Sequence, residues 1–238
     1  MSSKTKAATP DTFRKIFKFF NANVMHADCG EQCAPLNGGV PVCCDTENAI
    51  PVMQKAEWKH LRTRSKQWRK YKPDNAHAQK VVDELADSCK AAECRGAHRC
   101  ERDNRSLACR TFPFFPYFTK DGKILGLAHY WTFEDRCWVI SNMGDVKQDF
   151  VDEFIKAYKI LFKDDTEERD VFVDYSANMR RVFSRKKRPI FVIGRNLECY
   201  RIAPKGGGME VLGADAFPSF EPFVSEAGYQ QAVKDSQA

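Results

Sequence analysis

The sequence lacks the segments that direct a chain into or across a membrane. Residues 1–10 are basic, but no apolar stretch follows them, so they do not form a secretory signal. No window approaches the run of about 18 apolar residues that a transmembrane helix needs. We therefore expect a cytoplasmic protein with no membrane contact, in a compartment where thiols stay reduced.

The motifs of several common enzyme classes are also absent. Neither Gly-x-Gly-x-x-Gly nor Gly-Lys-Ser/Thr occurs, and the triple glycine at 206–208 predicts a hairpin turn rather than a phosphate loop. Gly-x-Ser-x-Gly and His-Glu-x-x-His are missing too. Dinucleotide-dependent enzymes and conventional hydrolases therefore have no support in the sequence.

Charge of one sign is not in strong excess. The chain has 38 basic and 32 acidic residues, a formal charge of +6, which permits an anionic partner without requiring one. Within residues 55–72, Trp58 and Trp68 have the spacing of core residues, so the basic residues are expected to form the solvated face of a helix. The basic run at 180–188 is the better candidate for an anionic partner, so nucleic acid remains a weakly supported partner.

Patterning predicts the α+β class, in which helices and cysteine-rich loops surround a metal centre beside a small antiparallel sheet. Apolar spacing predicts helices over 11–22, 53–71, 75–88, 146–162 and 167–183. Strands are expected at 124–131, paired with 137–141, and at 190–194, paired with 198–202. Asp121-Gly122, between apolar runs that end at Phe118 and begin at Ile124, is a further hairpin signal. We divide the chain into a helical cysteine-cluster region at 1–118, an α+β region at 119–223 and a flexible tail at 224–238.

Cysteine is abundant, and its placement is uneven. Eight of the ten cysteines lie between Cys29 and Cys109, in the groups Cys29-x3-Cys33-x9-Cys43-Cys44 and Cys89-x4-Cys94-x5-Cys100-x8-Cys109. Clustered cysteines in a reducing compartment are more often metal ligands than disulfides. Cys89, Cys137 and Cys199 fit the role of small buried hydrophobes. The predicted metal and cofactor ligands are the other seven: Cys29, Cys33, Cys43, Cys44, Cys94, Cys100 and Cys109.

Thiolate sulfur suits both zinc and iron–sulfur clusters. Cys-x2-Cys and the bacterial ferredoxin spacing are absent, and Leu36 stands where a radical-SAM triplet would need cysteine. The adjacent pair Cys43-Cys44 can face one small ion only where the backbone bends, because neighbouring side chains of an extended segment point apart. A larger cluster accommodates the pair more easily, so we favour [4Fe-4S] and keep zinc as the alternative.

The cysteine pattern continues into specific flanking residues. These are Glu57 and Leu61 after the first group and the closing run Arg105-Ser106-Leu107-Ala108-Cys109-Arg110-Thr111-Phe112-Pro113. Over residues 29 to 118 or so, the chain resembles the YkgJ-type cysteine-cluster proteins, described as zinc- or iron-chelating domains. It departs from their pattern at Ser106, where they have proline, and in its longer first loop. The resemblance implies a metal cofactor, with Cys43, Cys44, Cys100 and Cys109 as the firmest ligands.

The sequence therefore predicts a metal–thiolate protein whose iron–sulfur cluster transfers electrons or shapes a substrate site, as in an oxidoreductase with an unidentified redox or protein partner. The first alternative is a non-catalytic, zinc-stabilised module that binds a protein or nucleic acid. Flagellin lysine methylases share a similar cysteine-rich stretch, so a protein-lysine methylase is a further alternative by analogy alone. If the site is functional, the aromatic segment 112–118 is expected to border it, with Arg110 at the edge to attract an anion.

Overall fold

The computed structural model describes residues 7–237, and within them nine α-helices combine with two antiparallel sheets. The strand orders are β1-β3-β2 in the smaller sheet and β4-β5-β6-β7-β8 in the larger one. The α+β class predicted from the sequence is confirmed. The outermost residues of the predicted first region and of the tail, 1–6 and 238, lie outside the described residues.

The chain up to residue 111 forms five short helices and the three-stranded sheet. The helices are α1 (Pro10–Phe17), α2 (Cys29–Cys33), α3 (Lys55–Arg64), α4 (Ala76–Asp83) and α5 (Leu107–Thr111). The strands are β1 (Val52–Gln54), β2 (Arg69–Lys70) and β3 (Cys89–Glu93). Helix α1 begins at Pro10 after the Thr9 cap and buries Phe13, Ile16 and Phe17, which recur at helical spacing.

The larger sheet holds the apolar runs of the second half. Its strands are β4 (Phe114–Phe118), β5 (Ile124–His129), β6 (Ile190–Ile193), β7 (Cys199–Ile202) and β8 (Met209–Leu212). The predicted hairpins are confirmed: β4 pairs with β5 across Asp121-Gly122, where Gly122 has a φ of +75°, and β6 pairs with β7. The triple glycine joins β7 to β8, which are also paired.

Two long helices, α7 (Gln148–Asp164) and α8 (Thr166–Arg185), pack with this sheet, and α6 (Trp138–Ser141) precedes them. One buried cluster runs through both predicted regions and includes Phe17, Leu61, Phe114, Phe118 and Phe150. The helices predicted at 146–162 and 167–183 agree with α7 and α8 to within two residues at each end. Within residues 7–237, no helix has the length and apolar character needed to cross a membrane.

Several local predictions differ from the structure. The helices predicted over 11–22 and 75–88 end early, at Phe17 and Asp83. Residues 138–141 form α6, and β5 pairs instead with β4 and β6. The helix predicted over 53–71 is shorter, because β1 precedes α3 and β2 follows it. Strand β3 was not predicted, since its sequence Cys-Lys-Ala-Ala-Glu has low β propensity and its conformation depends on pairing with β1 and β2.

The predicted tail contains a helix, α9 (Glu226–Ser236). Ser225 caps it by accepting a hydrogen bond from the Gly228 N–H at 3.1 Å. The Tyr229 hydroxyl donates to the Gln32 carbonyl at 3.0 Å, and the Ser236 hydroxyl donates to the Pro35 carbonyl at 2.8 Å. These contacts hold α9 against the first cysteine group, a relation between distant residues that no local pattern encodes.

Candidate metal centre and adjoining aromatic cavity

The first cysteine group presents its thiols from a short helix and a tight turn. Cys29 and Cys33 are the two ends of α2, and their four-residue spacing places them on the same face. Asp28 caps the helix by accepting from the Gly30 N–H at 3.0 Å. Cys43 and Cys44 lie in a 3-10 turn at Val42–Cys44, so the backbone bends at this pair and both thiols border the same cleft.

A side-chain network fixes the loop around the Cys43-Cys44 pair. The Asn37 amide donates to the Val40 carbonyl and to Asp45 Oδ2, both at 3.0 Å. Asn48 Nδ2 donates to Asn37 Oδ1 at 3.0 Å and to Asp45 Oδ2 at 2.9 Å. Arg136 Nη1 donates to Asn48 Oδ1 at 3.0 Å and thereby ties this loop to the second half of the chain. The loop has no regular secondary structure of its own along most of its length, and this network holds it in place.

The second cysteine group is spread over three short elements. Cys94 follows β3, and its sulfur accepts from the Gly96 N–H at 3.4 Å. Cys100 follows a 3-10 turn, and Cys109 lies within α5. Ser106 caps α5 by accepting from the Cys109 N–H at 3.2 Å, which gives the serine at this position a defined structural role.

Three buried side chains from α3 and the following segment hold this second group. Gln67 Oε1 accepts from the Glu101 N–H at 2.5 Å, and the Trp68 indole donates to the Asn104 carbonyl at 2.7 Å. Glu57 Oε1 accepts from the Leu107 N–H at 2.6 Å, at the first turn of α5. Each bond satisfies a backbone group of the loop, so the core of the protein sets the position of the thiols.

The two groups face each other across one cleft, which we call the thiol cleft. It has a volume of about 1100 Å³, and its wall includes Cys29, Cys43, Cys44, Cys94, Cys100 and Cys109. Cys33 borders a smaller cavity of about 90 Å³ that shares Cys29, Cys43 and Cys109 with the cleft. The structure therefore brings together all seven of the cysteines predicted as ligands.

The crowding of the thiols affects their protonation. Burial raises the pKa of Cys33, Cys94, Cys100 and Cys109, and the nearby Cys44 raises each of them further. The contact between adjacent thiols raises the pKa of Cys43 and lowers that of Cys44, so the pair releases its first proton readily and its second with difficulty. Such crowded sulfurs are deprotonated together only when a cation binds among them.

Arg105 is a positive group close to these thiols. Burial raises the pKa of Cys29 to about 11, and the Arg105 guanidinium acts in the opposite direction on Cys29, Cys44 and Cys100. Arg105 also lines the thiol cleft and the smaller cavity behind it. It therefore favours negative charge in the space between the two cysteine groups.

The arrangement of the possible ligands does not fit a single metal ion. Within the described residues, no three His, Cys, Asp or Glu side chains form a group that could hold one. The thiols line a cleft instead of closing on one point. A mononuclear zinc site draws four ligands to about 2.3 Å from one ion, whereas an iron–sulfur cluster places its own inorganic atoms between the cysteines.

A second cavity, which we call the aromatic cavity, adjoins the thiols through Cys43 and Cys109. It has a volume of about 410 Å³. Its aromatic wall consists of Phe13, Phe112, Tyr130, Phe133, Tyr158, Phe172 and Tyr175. Gln54, Glu57 and Glu168 are among its few polar residues, and Val171, an exposed hydrophobic residue, also borders it. An apolar cavity with few convergent polar groups is the common form of a small-molecule site.

The carboxyl groups of this cavity are in an unfavourable environment for negative charge. Burial raises the pKa of Glu57 to about 8, although the Leu107 N–H partly opposes the effect. Burial also raises the pKa of Glu168, to which Gln54 donates a hydrogen bond at 3.0 Å. Burial raises the pKa of Tyr175 to about 12, so its hydroxyl stays protonated.

The expectations about segment 112–118 and Arg110 are met only in part. Phe112 borders the aromatic cavity, but Phe114, Phe115, Tyr117 and Phe118 are buried in the core, because β4 is an interior strand. The Arg110 guanidinium donates to the carbonyls of Phe20, Asp103 and Arg105, and it stacks over Phe17 at 4.8 Å. Arg110 thus stabilises the ends of loops, and its donors are committed to backbone oxygens rather than to an anionic ligand.

The remaining cysteines, and the two histidines near the cysteine groups in sequence, differ in burial and in the cavity that they border. Cys199 is buried in β7, as predicted, whereas Cys137 is buried before α6 and borders the cavity that holds Cys29 and Cys33. Cys89 is only half-buried and lines the aromatic cavity. His98 is exposed at the thiol cleft, whereas His26 lies in a separate hollow.

Several residues of the aromatic cavity were not identified from the sequence. Tyr130, Tyr158, Glu168 and Tyr175 come from segments that looked like ordinary core or helix surface. Glu57 was singled out in the sequence only as part of the resemblance to the YkgJ-type pattern, and not as a residue of a cavity. Comparison with known proteins adds no further assignment: no family model, no curated protein and no solved structure matches this chain.

Proposed function

We propose that the protein is a cytoplasmic metal–thiolate protein that binds an iron–sulfur cluster, with [4Fe-4S] favoured, and uses it beside a substrate cavity. One observation carries the proposal. Cys43 and Cys109 border the thiol cleft on one side and the aromatic cavity on the other. A cofactor held by these cysteines would lie next to a space large enough for a small molecule, as an oxidoreductase requires.

The donor chemistry fits this group. Soft thiolates from two loops suit iron–sulfur clusters, which take four cysteine ligands in their common forms. We assign Cys43 or Cys44, Cys100 and Cys109 as three ligands and take the fourth from Cys29, Cys33 or Cys94. The cluster would supply one-electron chemistry. The protein's part is to hold the thiols, to balance their charge with Arg105, and to keep water from much of the aromatic cavity.

The first alternative is a closed zinc site in a non-catalytic module. A structural zinc site is sealed by four protein ligands, whereas these cysteines line an open cleft. Two cations of the basic run are also engaged within the fold. Arg180 donates to the Phe118 carbonyl at 2.6 Å, and Arg188 donates to both carboxylate oxygens of Glu134. These contacts reduce the charge available for a nucleic-acid partner and favour the first proposal.

Purification without oxygen tests the cofactor directly. We expect a brown protein with broad visible absorption, and iron and acid-labile sulfide in near-equal amounts. A colourless protein that contains stoichiometric zinc would support the zinc module and contradict the proposal. Zinc and iron are measured on the same sample, because an overproduced thiolate protein readily takes up the wrong metal.

Single substitutions then test the ligand set. Cys109→Ser is expected to lose most of the iron and visible absorption, since serine is a poor ligand for the cluster. Cys199→Ser is the matched control, because Cys199 is buried in β7, and neither cavity includes it. Full iron content in Cys109→Ser, with a fold equal to that of the control by circular dichroism, would refute the assignment.

A further inference from the structure

Several rings that line the aromatic cavity pack against one another edge to face. Three pairs are close to perpendicular: Phe112–Phe133 at 83°, Tyr130–Tyr175 at 72° and Tyr158–Phe172 at 80°. Their centroids are 4.9, 5.6 and 5.3 Å apart, respectively. Perpendicular pairs place both faces and edges of rings around a space, and a ring face carries partial negative charge.

Two carboxyl groups border the same cavity and form no ion pair within the described residues, although the Arg110 guanidinium is close enough to act on the charge of Glu57. Within residues 7–237, neither Glu57 nor Glu168 forms an ion pair. Glu57 is 3% exposed, and its one described hydrogen bond comes from the Leu107 N–H. Glu168 accepts from Gln54, an uncharged donor. Buried carboxylates are normally paired, because an uncompensated charge in an apolar site is costly.

We infer that the aromatic cavity binds a small organic cation, an ammonium group carried on a short alkyl body. Ring faces attract an alkylammonium ion by the cation–π interaction, and aromatic boxes with acidic residues are suited to this charge. The two carboxyl groups can supply the opposite charge, since a bound cation would favour the ionised forms that burial alone disfavours. A neutral apolar ligand would fill the volume without this interaction.

The position of the cavity gives the cation a role. Cys43 and Cys109 separate it from the thiol cleft, so a bound ammonium compound would lie next to the proposed cofactor. The assignment of this cation as the substrate rests on the proposed function. Its binding does not, because the rings and carboxyl groups belong to the protein alone.

A matched pair of probes tests the inference. Choline and 3,3-dimethylbutan-1-ol have the same shape, but only choline is charged. We expect choline to bind the purified, metal-containing protein at least about tenfold more tightly than the neutral isostere, measured by ligand-observed NMR titration. Equal affinities, or no binding of either probe or of ethanolamine up to millimolar concentrations, would overturn the inference. Ethanolamine distinguishes affinity that comes from the carboxyl groups from affinity that comes from the rings. Tighter binding of ethanolamine would mean that the carboxyl groups contribute most, and tighter binding of choline would mean that the rings do.

Variants with local controls complete the test. Tyr175→Leu and Glu168→Gln are expected to weaken choline binding by roughly five- to tenfold each. Tyr200→Leu and Glu167→Gln are the controls, since neither residue borders the cavity. Iron content is measured on every variant. Weakened binding with normal iron supports the cation site, and unchanged binding contradicts it whatever the iron content. Loss of iron is scored separately, against the proposed function.

Discussion

Glu57 accepts the Leu107 N–H from a position with almost no solvent access, and this contact joins α3 to α5. Removing the acceptor would leave a backbone donor of α5 unsatisfied and loosen the helix that carries Cys109. The same side chain borders the aromatic cavity. A single residue thus sets the position of one proposed ligand and the polarity of the adjoining cavity.

Glu57 predicts a specific pH dependence of stability. Its pKa is about 8 in the folded protein and 4.5 in its ordinary state, so between these values the folded protein binds more protons than the unfolded chain. The free energy of unfolding should therefore fall as pH rises through this window, by at most about 1.4 kcal/mol per pH unit. Urea unfolding at several pH values measures the slope.

Glu57→Gln is the matched variant for this prediction. Its amide oxygen can still accept the Leu107 N–H, but it has no proton to lose. We expect the difference between wild type and Glu57→Gln to diminish as pH falls towards 5. Parallel stability curves over the whole range would show that Glu57 does not titrate as the structure indicates.

At the scale of elements, the loop around Cys43-Cys44 depends on Asn37. Its amide makes three hydrogen bonds, to Val40, Asp45 and Asn48, in a segment with little regular structure. Asn37→Ala should lower the free energy of unfolding by about 1–3 kcal/mol and reduce iron content. Asn178→Ala, at an exposed position of α8 away from both cysteine groups, is the control. Normal iron content in a destabilised Asn37→Ala protein would separate loop geometry from cofactor binding.

Helix α9 offers a second prediction at this scale. Tyr229→Phe removes the hydroxyl that donates to Gln32 but keeps the ring, which lies 6.0 Å from that of Phe223. We expect the free energy of unfolding to fall by about 0.5–1.5 kcal/mol. We also expect faster alkylation of Cys33, because α9 would hold the first cysteine group less firmly. Mass spectrometry after brief treatment with iodoacetamide gives the rate. An unchanged rate would mean that α9 does not restrain this group.

The sequence was informative about elements whose cause is local. The periodicity of Phe150, Phe154 and Leu161 and the Asp121-Gly122 turn predicted α7 and a hairpin, because side-chain spacing and turn chemistry determine them. It was misleading at Val139-Ile140, an apolar pair that suggested a strand but lies in α6. It also missed β3, whose residues are extended only because two neighbours pair with them.

The residues of the candidate site also differ in how far the sequence could identify them. The two cysteine groups could be recognised in the sequence because their clustering has a chemical meaning that does not depend on the fold, and metal binding by them stays a prediction. The aromatic cavity was not, because Tyr130, Phe172 and Tyr175 are far apart in sequence and become neighbours only after β5 and α8 pack together. For Arg110 the sequence suggested a role that the structure does not support. An arginine beside a cysteine suggested an anion site, but its donors bind carbonyl oxygens.

At the scale of the whole molecule, the proposed cofactor connects residues 29–44 with residues 94–109. Removing it opens a long loop and leaves several buried thiols close together without a cation. We expect chelation of the metal under reducing conditions to lower the melting temperature by about 10 °C or more. Calorimetry of the same preparation before and after metal removal measures the change. Identical melting curves for the two forms would place the metal at the periphery.

The contact between α9 and the first cysteine group has a consequence for how the protein is made. Tyr229 and Gln32 are separated by 197 positions, so a ribosome makes the thiols of α2 long before it makes the helix that rests against them. At about 5–20 residues per second, the delay is roughly 10–40 s. Throughout this interval the carbonyls of Gln32 and Pro35 lack the donors that α9 later supplies. The loop of the first cysteine group therefore gains its last restraint only after almost the whole chain has been made.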